Sequence, residues 1–242
     1  MRKIIFSFLL FLAVLPAFCH TRTFRVNVGR FDKVSVIDNL EIVYHSRPDS
    51  TGMAVYDAEE SLDNVILFTN TKGSLKVQLA TEEVTRQNLP VIHLYSDYLA
   101  SVENSSDKPF TVKENQAVPR FSAKLIGNGK IIADGLKASE VEASLMTGNG
   151  SIVVSGSCGK AVLKMIGTGT INADRLKTEL VNCKIMGSGT IGCWPLSRLD
   201  VRGIGSTKIY YKGTPAIKKV GGGKLFPLTD ENGEELTTVT AD

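Results

Sequence analysis

Histidine, cysteine and tryptophan are scarce in this chain of 242 residues, which holds three, four and one of them. The histidines, His20, His45 and His93, follow no spacing that gathers two on one face, and a zinc site needs three or four convergent ligands. No metal ligand set is therefore expected. Four cysteines are too few for the disulfide framework of a small secreted domain. Once Cys19 leaves with a leader, Cys158, Cys183 and Cys193 remain, an odd number. Cys183 and Cys193 lie symmetrically about Ser188, and both a bridge across an interior and a pair of buried thiols fit that placement. Cys158, in the small-residue stretch from Ser155 to Gly159, reads as a loop position. No Gly-x-Ser-x-Gly nucleophile elbow occurs.

Neither sign of charge dominates. The formal net charge of +3 falls to +1 when Arg2 and Lys3 are removed, a balance that argues against nucleic acid as a partner. The stretch from Phe226 to Asp242 is different, carrying Asp230, Glu231, Glu234, Glu235 and Asp242 without Lys or Arg. It reads as an acidic C-terminal tail, residues 226–242, with the character of a mobile terminus.

Long apolar runs are confined to the start. Arg2 and Lys3 precede an uncharged run from Ile4 to Leu15, about 12 residues, which suits a signal-peptide core and is too short to span a bilayer. Ala17 and Cys19 stand at the small positions of a cleavage site, giving residues 1–19 as a signal peptide and a mature chain from His20. The competing reading lipidates Cys19, against which Phe18 stands where a small residue is usual. Export to the periplasm or the cell surface of a Gram-negative bacterium is expected, with no transmembrane segment in the mature chain.

What the chain does have is repetition. Phe121, Val141, Ala161 and Val181 recur every 20 residues, as do Ala123, Ala143, Leu163 and Cys183, and Leu125, Leu145, Met165 and Ile185. Each set leads to a glycine pair: Gly127 and Gly129, Gly148 and Gly150, Gly167 and Gly169, Gly187 and Gly189. Ile131, Ile152, Ile171 and Ile191 then follow two residues on. A fixed period of this length marks a solenoid, in which each unit buries its apolar face only against its neighbours. The glycines read as structural corners, where the backbone needs positive φ or a close approach. Asn104, Ser105 and Ser106 hold the corner's place in an earlier rung, and two degenerate rungs, around Leu199 to Ile209 and Val220 to Leu225, end the array.

Before residue 90 the pattern changes to short alternating strands, at Phe24 to Val28, Val34 to Val36, Leu40 to Tyr44, Met53 to Val55, Val65 to Phe68 and Leu75 to Leu79. Arg47 to Gly52 reads as a turn, Asn70 to Gly73 as a hairpin loop, and Ala58 to Asp63 as a short helix-like piece. The expected fold is all-β: a single-stranded, right-handed, β-helix-like solenoid over residues 90–225, with an N-terminal antiparallel β segment, residues 20–89, acting as a cap.

Gly-x-Gly invites a nucleotide-binding reading, but a strand follows each pair where a dinucleotide fingerprint needs a third glycine and a helix. Lys160 after Gly159 fails as a phosphate loop because Val154 and Ala161 occupy its glycine and Ser/Thr positions. Asp134 and Asp174 follow two corners, yet Ser155 and Trp194 fill the equivalent places, so a calcium ladder is not supported and the aspartates read as turn residues. No cofactor is expected.

The segments Gly127-Asn-Gly-Lys-Ile131, Gly167-Thr-Gly-Thr-Ile171 and Gly187-Ser-Gly-Thr-Ile191 resemble the GIN-type head domain of an autotransporter-adhesin family common in Bacteroidetes. Phe31-Asp-Lys-Val-Ser-Val36 and Leu40-Glu-Ile-Val-Tyr44 are similar to the start of that family. The resemblance spans nearly all of the mature chain and implies an exported all-β domain used in adhesion, with no catalytic residues to carry over. Ending at Asp242 without a segment for a membrane-spanning translocator barrel, the chain is not expected to be a self-sufficient autotransporter.

Between the apolar columns, Lys124, Ser144, Lys164, Lys184 and Arg202 are expected to point outward and stack. Lys124, Lys164, Lys184 and Arg202 form a candidate ligand-binding stripe for carboxylate or phosphate groups, with Glu142 and Asp200 nearby as acids. The competing account is a solvated sheet face whose charges discourage aggregation. Together these readings point to a non-catalytic adhesin-like or interaction module of the cell envelope that binds a cell-surface glycan or an envelope protein, its oligomeric state open. The alternatives are a glycan-active enzyme on a β-helix and a purely structural envelope protein.

Overall fold

A computed structural model describes residues 21–59, 65–80 and 89–228. The signal-peptide region, most of the acidic tail and residues 60–63 of the helix-like piece lie outside them; Ala58 and Glu59 belong to a strand. The described residues form seventeen strands in one continuous sheet. Those of the first half are β1 (Thr21–Asn27), β2 (Lys33–Val36), β3 (Ile42–Ser46), β4 (Met53–Glu59), β5 (Ile66–Thr71), β6 (Ser74–Leu79), β7 (Ile92–Ser96), β8 (Ser101–Asn104) and β9 (Pro109–Val112). Then come β10 (Val118–Ile126), β11 (Lys130–Thr147), β12 (Ser151–Met165), β13 (Thr170–Ile185), β14 (Thr190–Gly203), β15 (Lys208–Tyr211), β16 (Ala216–Gly221) and β17 (Lys224–Pro227).

Strands β11 to β14 each serve two faces. The first part of β11 pairs in parallel with β9 and the first part of β12, while its second part pairs with β10 and the second part of β12. The bend between the parts falls at register shifts, between Ala133 and Leu136 in β11 and between Ala173 and Lys177 in β13. The other corner is the Gly-x-Gly turn. Repetition of this unit makes the all-β solenoid that the 20-residue period predicts.

The apolar columns stack as the spacing requires. Leu125, Leu145, Met165 and Ile185 are directly paired across β10 to β13 and are fully enclosed, and so are Ile131, Ile152, Ile171 and Ile191. Residues of like shape at the strand separation of about 4.8 Å leave little void between rungs. Asn104, which takes Leu125's place in its rung, is buried but satisfied, donating to the carbonyls of Lys108 and Lys130 while its own oxygen accepts from the Ser106 amide.

The N-terminal end departs from sequential stacking. β2 lies between β6 and β8, and β3 between β7 and β9, in each case parallel to both neighbours. The first rung in the chain is therefore the second in space. Beyond it, β1, β4 and β5 make the antiparallel pairs: β4 on β7, β1 on β4, and β5 on β6 through the expected hairpin, where Lys72 and Gly73 have positive φ.

Candidate functional site

Lys124, Ser144, Lys164, Lys184 and Arg202 are successive partners in the parallel register of β10 to β14. Their neighbours Ala123, Ala143, Leu163, Cys183 and Val201 are buried, so strand alternation turns this column outward. It is not uniformly cationic. Glu103 on β8 precedes Lys124 in the column and pairs with it at 3.1 Å. Glu142 pairs with both Lys164 and Arg120 and accepts a further hydrogen bond from Ser144. Burial acts to raise the Glu142 carboxyl, but hydrogen bonds from Lys164 and Arg120 and the Lys164 charge outweigh it and hold the group below its ordinary range. Asp200 is taken up by Arg198 at 2.8 Å. Lys184 and Arg202 are exposed and have no ion pair among the described residues. Free positive charge in the stripe thus concentrates at its C-terminal end.

Sequence reasoning missed two features of the outer surface. The residue just before the glycine corner is apolar in successive rungs: Ile126 and Met146 are half-buried, with a register shift setting Ile126 against Thr147, while Ile166, Met186 and Ile204 are exposed. Backbone bonds from Ile166 to Leu145, Met186 to Met165 and Ile204 to Ile185 carry the stacking through the corner. An apolar residue just before each corner was the signal. The second feature is a histidine pair. His45 on β3 and His93 on β7 share a hydrogen bond, Nε2 to Nδ1 at 3.1 Å, with stacked rings, and Tyr95 stacks on His45. The expectation that no two histidines share a face is corrected: 48 residues separate them, but parallel pairing of β3 with β7 brings them together. Desolvation, then the charge of His93, lowers the His45 pKa below its ordinary value, against the pull of Glu114. Among the described residues no group of three or more His, Cys, Asp or Glu is placed to hold a metal ion.

The interior has its own polar cluster. Asp174, read from sequence as a turn residue, is buried and faces the buried Lys212 at 3.8 Å. The ammonium groups of Lys177 and Lys212 lie 4.8 and 5.2 Å from the centre of the Trp194 ring. Cys183 and Cys193 are buried, unbridged and in contact; donation of the Cys193 thiol hydrogen to Cys183 and then burial push the Cys193 pKa well above its ordinary value. Cys158 is no loop residue: it lies within β12, buried beside Thr178 at 3.5 Å, because the small residues around it let the rungs approach closely. A shallow hollow of about 270 Å³ is lined by Arg30, Phe31, Asp32, Gly73, Asp97 and Tyr98. Among the described residues no helix is long and apolar enough to cross a membrane.

The sequence profile of the family described as "putative auto-transporter adhesin, head GIN domain" matches residues 30–215. Among solved structures, a protein described as a putative adhesin from Bacteroides fragilis superposes with a TM-score of 0.74 at 18% identity, over 86% of this chain and 95% of that one. One from Parabacteroides distasonis, described as a putative lipid binding protein, gives 0.69 at 19% identity, over 86% and 97%. A third, described as a putative adhesin from Parabacteroides merdae, gives 0.59 at 17% identity, over 90% and 96%. These likenesses establish the fold. A search of curated proteins returns no match.

Proposed function

This chain belongs to the auto-transporter adhesin head GIN domain family, and from that premise we propose that it is an exported, non-catalytic interaction module of the bacterial cell envelope that holds an anionic glycan on its outer face. The observation that carries the reading is the column ending in Lys184 and Arg202. Two stacked cations at the strand separation, neither neutralised by a neighbouring carboxylate, offer paired contacts to carboxylates or phosphates repeated along a polymer. The non-catalytic reading draws support from the acids beside the stripe, because Glu142 and Asp200 are occupied as ion-pair acceptors.

Retention on an immobilised acidic polysaccharide tests the reading. K184E/R202E should lose most of its retention, whereas K124E, which removes a cation already shared with Glu103, should change it little. Equal retention of wild type and K184E/R202E would refute the stripe as the ligand site, and release of reducing sugar from the polysaccharide would refute the non-catalytic assignment.

A further inference from the structure

The corner column becomes more exposed toward the C-terminal end of the solenoid: Ile166 is 37% exposed, Met186 72% and Ile204 83%. Such exposure of large aliphatic side chains, in consecutive rungs of one edge, leaves an apolar ridge in water. The ridge is flanked by cations on both sides. Lys184 and Arg202 border it on the face of β16, while Lys208 and its partner Lys224 begin the strands that leave the corner on the other face. From residue 201 to 228 the chain carries Arg202, Lys208, Lys212, Lys218, Lys219 and Lys224 and no acid at all. Of these only Lys212 is buried, against Asp174.

We propose that this corner docks on an anionic lipid surface, with Met186 and Ile204 entering the headgroup boundary and Lys184, Arg202, Lys208 and Lys224 engaging lipid phosphates. Three considerations select that occupant. A soluble polyanion would use the cations and leave the ridge in water. A second copy apposed corner to corner would bring like charges together, with no acid between residues 201 and 228 to offset them. An anionic bilayer takes up both features, as an interfacial amphipathic element does, and a convex edge meets a flat surface without needing a pocket. Lys184 and Arg202 are shared with the glycan reading, but the apolar ridge, Lys208 and Lys224 have no part there, and it is these that the variants below alter.

Vesicle co-sedimentation of the chain from His20 to Asp242, which contains every described residue, tests it. Vesicles containing phosphatidylglycerol should retain the protein, pure phosphatidylcholine vesicles should not, and added salt should weaken retention. M186S/I204S keeps every charge and alters only exposed positions; it should bind phosphatidylglycerol vesicles at least about tenfold more weakly while melting at the wild-type temperature. K208E/K224E should lose binding to a similar degree. Wild-type-like binding by M186S/I204S would overturn the proposal, leaving a charge patch alone. Absence of wild-type binding to the anionic vesicles would overturn it too, as would a dimer in solution that M186S/I204S abolishes.

Discussion

Glycine at the corners answers to crowding more than to backbone twist. At Gly148, with φ of 79°, both demands apply, but Gly169 has no left-handed φ, and a Cβ there would lie 2.0 Å from the Gly150 carbonyl oxygen. At seven of the eight corner glycines the stacked rungs approach so closely that a side chain has no room, whereas at Gly127, with φ of 105°, the space is open and the backbone twist alone calls for glycine. Gly169→Val should therefore cost about 3 kcal/mol through overpacking and lower the melting temperature by about 6–12 °C. Thermal denaturation by circular dichroism checks this, and an unchanged melt would show that the corner can open. The Gly-x-Gly pairs were legible in the sequence as corners; which of the two demands each glycine meets was not, because φ and the carbonyl of the rung below are properties of the stacked state.

Between elements, parallel pairing converts distant sequence into contact. β3 and β7 place His45 against His93, and the resulting hydrogen bond needs at least one neutral ring. The folded-state pKa of His45 is depressed relative to 6.5, so between these two values the unfolded chain binds more protons than the folded one. Stability accordingly falls as pH drops through about 6.5 toward the folded pKa, and is regained as pH rises. Melting temperatures measured from about pH 7.5 to about pH 5 should decline, and His45→Gln should reduce the decline. A variant with an undiminished decline would assign the effect to groups other than His45. The outward stripe was readable from the repeat, since period-two alternation within 20-residue units orders it. Its partial neutralisation was not, because Glu103 lies in a rung without the glycine motif and Arg120 reaches Glu142 from the neighbouring strand.

At the level of the whole molecule, the inserted rung governs cooperativity. Val102 and Phe110 are sealed on one side by Val34 and Ile42, which arrive from the first described fifth of the chain. A fragment beginning at residue 90 lacks that cover and should bind a hydrophobic dye and melt well below the chain from His20, even though every 20-residue repeat is present. Equal melting temperatures, followed by calorimetry, would show that the repeats stand alone. The other end closes differently: in β16 the register sets Lys219 against the buried Val201, every residue of the strand is exposed, and a lysine in that place discourages further strand pairing. Sequence alone determined the solenoid, its corners and its apolar columns, because each rung's requirement is local and repeats at a constant spacing. Only the tertiary structure decided that the first rung sits inside its successors, which cations remain free, and that an apolar ridge runs between them, because these depend on which strands become neighbours and on the burial that follows.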